Sequence, residues 1–198
     1  MVGKLIESDG WRFLKEFIAA PAIVGAIAAS SKDLADSVTE VAGVSRSAVV
    51  VEFGPGTGAI TGTIVKKLQH DATFVAMEIC EKFAQATKQK FPEVNVVHDS
   101  AVNTGKYLAE LGVSQCDCIV SGLPWAAFKD DLQHALLDAT YDVLRPGGCF
   151  ATFMYIMSPA LPAGRRFVHQ LRARFGNVRI SRPVWFNLPP ALVISAIR

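Results

Sequence analysis

Three glycines and two acidic residues stand where a chain can hold a polar ligand. Glu52-Phe53-Gly54-Pro55-Gly56-Thr57-Gly58 joins an apolar run to a segment with helical spacing. Glycines permit a tight turn and let a ligand approach the backbone. A helix opening there offers unpaired N–H groups and the positive end of its dipole. The spacing Gly54-x-Gly56-x-Gly58 is one residue short of the G-x-G-x-x-G nicotinamide fingerprint, and no Walker G-K-[ST] follows. Glu78 closes the next apolar run, 20 residues after Gly58. A carboxylate at that place can accept both hydroxyls of a ribose. His98-Asp99-Ser100-Ala101 follows the third run, where Asp99 can accept a hydrogen bond from an adenine amino group. Each feature alone also describes a plain strand–turn–helix. All of them after successive strands point to a nucleoside-containing ligand.

A second cluster follows the fourth apolar run: Ser121-Gly122-Leu123-Pro124-Trp125. Proline fixes the turn and removes a donor, so the carbonyls of Gly122 and Leu123 can face a ligand. Carbonyls beside an aromatic face suit an amine that becomes cationic. The other reading is a wide turn with Trp125 as core. Tyr155, at the end of the fifth run, and His98 are candidate proton acceptors. The four cysteines, Cys80, Cys116, Cys118 and Cys149, show no C-x-x-C pair or zinc spacing, so no metal is expected and reduced thiols are.

The elements that position these residues alternate in period. Short apolar runs at 48–53, 73–78, 94–98, 116–121 and 149–156 read as buried strands. Helical spacing covers Thr57–Gln69, Glu81–Phe91, Asp130–Leu144 and Gly164–Phe175. Residues 177–182 and 191–197 read as two closing strands, split by Pro189-Pro190. Such alternation predicts a parallel sheet covered on both faces, with ligands at the carboxyl ends of its strands. The 198 residues fit one domain, with 1–46 a helical lid or membrane-contact segment and 47–198 the core.

At this point the chain resembles the class I S-adenosylmethionine-dependent methyltransferases, through E-x-G-x-G-x-G, the acid ending strand two and the acid after strand three. The resemblance implies a three-layer Rossmann-like fold, mostly parallel and seven-stranded, with an antiparallel last strand. It also implies that Glu52, Gly54, Gly56 and Gly58 meet the methionine part of S-adenosylmethionine, Glu78 the ribose, and Asp99 with Ser100 the adenine. Ser121 joins this cofactor set. The Ser121–Trp125 turn is similar to the (N/D/S)PPY loop of amino-group methyltransferases, with Leu123 and Trp125 departing from that pattern. Three segments resemble bacterial phospholipid N-methyltransferases: the stretch from Trp11 to Ser31, Ser121–Ala126, and Trp185-Phe-Asn-Leu-Pro-Pro-Ala191. The segment holding Pro21 and Val24 lacks that family's usual basic residues, which leaves the lipid open. The implied activity is methyl transfer to a lipid amine such as that of phosphatidylethanolamine. Gly122, Leu123, Trp125 and Tyr155 would then stand at the acceptor.

Charge patterning bears on the partner. From Val143 to Arg198 there are eight arginines and no Asp, Glu or Lys, so that stretch carries +8 and the rest −6. An anionic partner near the C-terminal part is one reading, and ordinary surface arginines the other. Lys4 to Ala20 can form an amphipathic helix with Trp11, Arg12 and Lys15 at a bilayer, or a lid over the sheet. In Gly164–Phe175 the apolar stripe suits core or membrane, and Arg165 and Arg166 suit lipid phosphate. Asn187 would shape the other wall. No run reads as a membrane span. Phe17–Ala29 mimics a signal core, but acids precede it and Pro21 interrupts it. The expectation is a cytoplasmic protein, peripheral at the inner membrane face, acting on an anionic phospholipid surface. An rRNA adenine N6-methyltransferase would share the cofactor loop, but no residues remain for a separate nucleic-acid recognition domain. A small-molecule amine methyltransferase and a non-catalytic nucleoside-binding protein would share the same loop.

Overall fold

The computed structural model describes residues 31–198. Trp11, Arg12 and Lys15 lie outside them.

Seven strands form one sheet: β1 (Val49–Phe53), β2 (Thr73–Glu78), β3 (Asn95–His98), β4 (Cys116–Ser121), β5 (Leu144–Tyr155), β6 (Asn177–Ile180) and β7 (Ala191–Ile197). Their order across the sheet is β3-β2-β1-β4-β5-β7-β6. β1 to β5 run parallel, and β7 is antiparallel to both β5 and β6. Strand order reverses between β1 and β4, so the crevice for a ligand opens beyond their carboxyl ends. Glu52–Gly58 and Ser121–Trp125 both emerge there.

The period-two geometry of a strand divides the core. Val51, Phe53, Ile119 and Phe150 face one layer with Leu136, Leu137, Phe167 and Leu171. Val50, Val120, Cys118 and Cys149 face the other with Leu34, Val38 and Ile64. The second layer includes α1 (Lys32–Ala42) and α2 (Thr61–Lys67), with α3 (Glu81–Lys90) beside β2 and β3; the first includes α4 (Thr104–Glu110), α5 (Asp130–Val143) and α6 (Pro162–Arg174). Ser31 caps α1 by accepting the Leu34 N–H at 3.2 Å. The four cysteines are free, and all but Cys80 are buried.

Three elements depart furthest from the sequence reading. The helix expected over Thr57–Gln69 starts only at Thr61, because Gly54, Gly56 and Gly58 hold φ of 69°, 56° and 77° and keep the chain in a loop. α4 carries little signal in the sequence, since Leu108 is its one large buried apolar side chain and Gly105 dilutes its helical pattern. β5 begins at Leu144, before Arg145-Pro146-Gly147-Gly148, and meets β4 through a register shift between Cys116 and Cys118. Among the described residues no helix is long and apolar enough to cross a membrane.

Candidate active site

The glycine loop is braced from inside. The Gly54 N–H donates to Met77 O at 2.9 Å, and the Gly58 N–H to Pro55 O at 2.8 Å. The Gly56 N–H donates to Glu78 Oε2 at 3.0 Å, and the Cys80 N–H to Glu78 Oε1 at 2.9 Å. On the α3 side, the Thr87 hydroxyl donates to Gly56 O at 3.0 Å. The N–H groups of Gly54, Gly56 and Gly58 are therefore taken up internally, rather than free as expected from the sequence, and what the loop offers a ligand is space. The opening is widest over Gly56, where an added Cβ would meet nothing within 4 Å.

Glu52 lies under this loop with 1% of its surface exposed. The Thr61 hydroxyl donates to its Oε2 at 2.8 Å, while Oε1 has no partner among the described residues. Burial pushes its pKa up to about 8, against the hydrogen bond from Thr61. Burial also raises Glu78, although three backbone N–H groups oppose that. Asp99 lies below the usual carboxylate range. Its modest desolvation is outweighed by the Tyr107 hydroxyl, the Asn103 amide and the Ser100 N–H, which donate at 2.7, 3.0 and 2.7 Å. Ser100 stands at the mouth of the same turn, its hydroxyl accepting the Val102 N–H at 3.4 Å.

The turn after β4 touches the glycine loop directly. The Gly122 N–H donates to Phe53 O at 2.8 Å. A Cβ at Gly54 would stand 2.7 Å from Leu123 Cδ2, and one at Gly122 would stand 2.8 Å from Gly54 O. Gly122 therefore needs glycine for close approach, since the opposing atom is backbone, whereas at Gly54 the Leu123 tip can shift and the φ of 69° is what favours glycine. Beyond this contact lies a cavity of about 300 Å³, walled by Gly122–Ala127 on one side and by Phe153–Tyr155 and Ser158 on the other. Its lining is mostly apolar. Tyr155 is half-buried there, and desolvation raises its pKa, so its phenol stays protonated at neutral pH.

Four expectations change. Trp125 forms part of the cavity wall, but its ring is 2% exposed and stacks on Phe167 at 5.2 Å, with Phe150 edge-on at 5.4 Å. The indole is core packing, not an open platform for an amine. Ser121 is fully buried, and its hydroxyl accepts Trp125 Nε1–H at 3.0 Å and the Leu123 N–H at 3.3 Å; it shapes the turn instead of meeting a cofactor. Asn187 is buried too: its Nδ2 donates to Pro189 O at 2.7 Å and its Oδ1 accepts the Ser31 N–H at 3.0 Å, so it clamps a loop. His98 ends β3, three strands from β4 across the sheet, and bonds Ile79 O at 3.1 Å; it cannot serve as proton acceptor in the cavity. Arg165 and Arg166 are exposed on α6, and Arg166 pairs with Asp130 at 3.4 Å. Among the described residues no cluster of three His, Cys, Asp or Glu could hold a metal ion.

A mostly parallel sheet in this strand order, with a glycine loop after its first strand and an acid closing its second, defines a Rossmann-like methyltransferase. Residues 50–148 match the methyltransferase domain family, and the chain belongs to it. The chain is similar to the ornithine lipid N-methyltransferase of Singulisphaera acidiphila, 30% identical over 145 residues that cover 72% of this chain and 76% of that one. Its fold is similar to that of an O-methyltransferase from Bacillus cereus solved with S-adenosylhomocysteine, with TM-score 0.69 and 14% identity over 94% and 91% of the two chains. It is likewise similar to the 1,6-didemethyltoxoflavin-N1-methyltransferase of Burkholderia thailandensis, at TM-score 0.70 and 17% identity over 96% and 89%. The methyl donor of the family is S-adenosylmethionine. The residues present fit it: an open cradle over Gly56, a buried carboxyl oxygen at Glu52 without a partner among the described residues, and acids at the ends of β2 and β3.

Proposed function

We propose that this protein transfers methyl groups to the amine of a membrane amino-lipid, with phosphatidylethanolamine and ornithine lipid as the two headgroup classes to separate. The observation that carries the reading is the apolar cavity placed directly against the glycine loop. The 30% identity to a lipid N-methyltransferase supports it. In this reading the protein works at the inner face of the membrane as a peripheral protein.

S-adenosylmethionine supplies an already activated methyl group, so the protein's task is positioning. Gly54, Gly56 and Gly58 form the cradle, and Glu52 Oε1 is the open acceptor for a ligand ammonium. Glu78 and Asp99 each keep acceptor capacity for ribose hydroxyls and for an adenine amino group. On the acceptor side the lipid amine must arrive with its lone pair free. An alkyl ammonium has a pKa near ~10, and an apolar cavity lowers it by disfavouring the charged form. Among the described residues Leu123 O accepts the Trp125 N–H at 2.9 Å, whereas Gly122 O receives no hydrogen bond. The Gly122 carbonyl is therefore the acceptor that orients the amine N–H. Tyr155 acts as a neutral phenol that shapes the wall, not as a base.

The test uses vesicles containing phosphatidylethanolamine or ornithine lipid and methyl-labelled S-adenosylmethionine. Label is expected in the lipid fraction of one or both. No label in either, from protein that binds S-adenosylhomocysteine, would refute the lipid reading.

A further inference from the structure

The loop between β6 and β7 is inverted in polarity. Its one buried member is the polar Asn187, while Trp185 is 66% exposed and Phe186 and Leu188 are each 86% exposed. Beside it, Met157 and Leu161 in the loop after β5 are exposed over more than half their surface. The two loops are neighbours through backbone. Tyr155 pairs with Ala191, the Ile156 N–H donates to Pro190 O at 2.9 Å, and Val184 bridges Ala191. Tyr155 and Ser158, on either side of Met157, line the cavity described above. These five apolar side chains thus stand beside that cavity. Soluble monomers rarely expose apolar groups together in this way unless something covers them.

The loop is built to hold this arrangement. Asn187 ties Pro189 O to the Ser31 N–H, so its neighbours on both sides point outward. Arg179 and Arg182 lead into the loop and Arg165 follows Leu161; all three are exposed and in no ion pair among the described residues. The whole segment from Val143 onward contains no acidic residue. A tryptophan, a phenylalanine and aliphatic tips flanked by cations match the boundary of an anionic bilayer, where the rings sit at headgroup level and the cations meet phosphate. A second copy of this chain fits less well, because a symmetric contact would face one +8 segment against another.

We propose that Trp185, Phe186 and Leu188, with Met157 and Leu161, form the surface by which this protein seats on an anionic lipid bilayer, bringing the cavity mouth to the headgroups. The inference rests on the lipid-amine reading and adds to it the element that docks.

The experiment compares the full chain with the combined variant Trp185→Ala, Phe186→Ala, Leu188→Ala. Vesicles of phosphatidylglycerol with phosphatidylethanolamine are set against phosphatidylcholine alone. S-adenosylhomocysteine binding reports that the variant is folded. The wild type is expected to co-sediment with the anionic vesicles, and the variant's affinity to fall at least about tenfold. Turnover of a dispersed short-chain amino-lipid should persist in the variant. Trp185 emission, isolated by difference from Trp185→Phe, should shift to the blue when anionic vesicles are added. Unchanged vesicle binding by the combined variant overturns the proposal. So does Trp185 emission that is already blue and unmoved by vesicles, which assigns the loop to residues 1–30. A change from dimer to monomer in the variant overturns it in favour of a second copy. Loop-dependent vesicle binding with no label in any lipid amine leaves the docking surface standing and removes the substrate reading instead.

Discussion

Replacing Gly122 with alanine probes the contact between the two loops that the reaction must bring together. The new Cβ would stand 2.8 Å from Gly54 O and 3.7 Å from Phe53 O. Carbon–oxygen contacts settle near ~3.4 Å or more, so the first gap is short by about 0.6 Å. Neither opposing atom can rotate away, because both are backbone. The strand ends cannot part freely either, since Phe53 pairs with Ser121 and the Gly122 N–H bonds Phe53 O at 2.8 Å. The loops must separate by roughly the missing distance, or that hydrogen bond must break. Overpacking of this kind costs about 1–3 kcal/mol, or a fall of about 2–12 °C in Tm for a chain of this size. The same displacement moves the glycine loop away from the acceptor wall. A shift of about 1 Å between reacting groups costs on the order of 100-fold in rate, so kcat should fall about 10- to 100-fold. Scanning calorimetry and steady-state methyl transfer on the same preparation measure both. A destabilised Gly122→Ala protein with wild-type kcat would refute the argument that this contact sets the distance between donor and acceptor. A protein unchanged in both would refute the geometry itself.

Other outcomes follow from single contacts. Glu52 titrates near 8 in the folded chain against about 4.5 when unfolded, so the native state binds its proton more tightly. Its contribution is full below about pH 4.5 and is lost as pH rises toward 8, at up to about 1.4 kcal/mol per pH unit. Glu52→Gln should flatten that decline in denaturant melts of the ligand-free protein; an unaltered pH slope would show that another group causes it. Gly56→Ala places a methyl in the open cradle at φ 56°, costing about 1 kcal/mol in strain. Its KM for S-adenosylmethionine should rise severalfold while the fold persists, and an unchanged KM would place the donor elsewhere. Trp125→Phe removes the indole N–H that holds the buried Ser121 hydroxyl and should cost about 1–3 kcal/mol in urea unfolding. A neutral result would mean that the Leu123 N–H, which also donates to it at 3.3 Å, satisfies the hydroxyl alone.

The strands were legible because a buried parallel strand reads as a short apolar run wherever it lies in the chain. The 48–53, 73–78, 116–121 and 191–197 runs became β1, β2, β4 and β7 with boundaries within a residue. The glycine loop was legible for a similar reason: its three positive φ values demand glycine locally. Glu78 and Asp99 could be placed because the chain leaves each strand at the same edge of the sheet.

The roles of individual side chains were a different matter. Whether Trp125 offers a face or packs in the core depends on Phe150 and Phe167, which arrive from β5 and α6. Ser121 and Trp125 occupy each other, although either alone reads as a ligand contact. His98 falls at the far edge of the sheet because β3 and β4 are consecutive in sequence but separated by β2 and β1 in space.

The sequence by itself determined the parallel α/β sheet, the place of the glycine loop and of the acids that follow successive strands, and the charge division between −6 and +8. These depend on periodicity, glycine and composition, which are local properties. Only the tertiary structure decided that Gly122 presses on Gly54, and that Asn187 turns inward while Trp185, Phe186 and Leu188 turn out. Asn187 is held by Ser31, 156 residues away. A side chain's exposure is set by which distant segments reach it, and no local pattern carries that information.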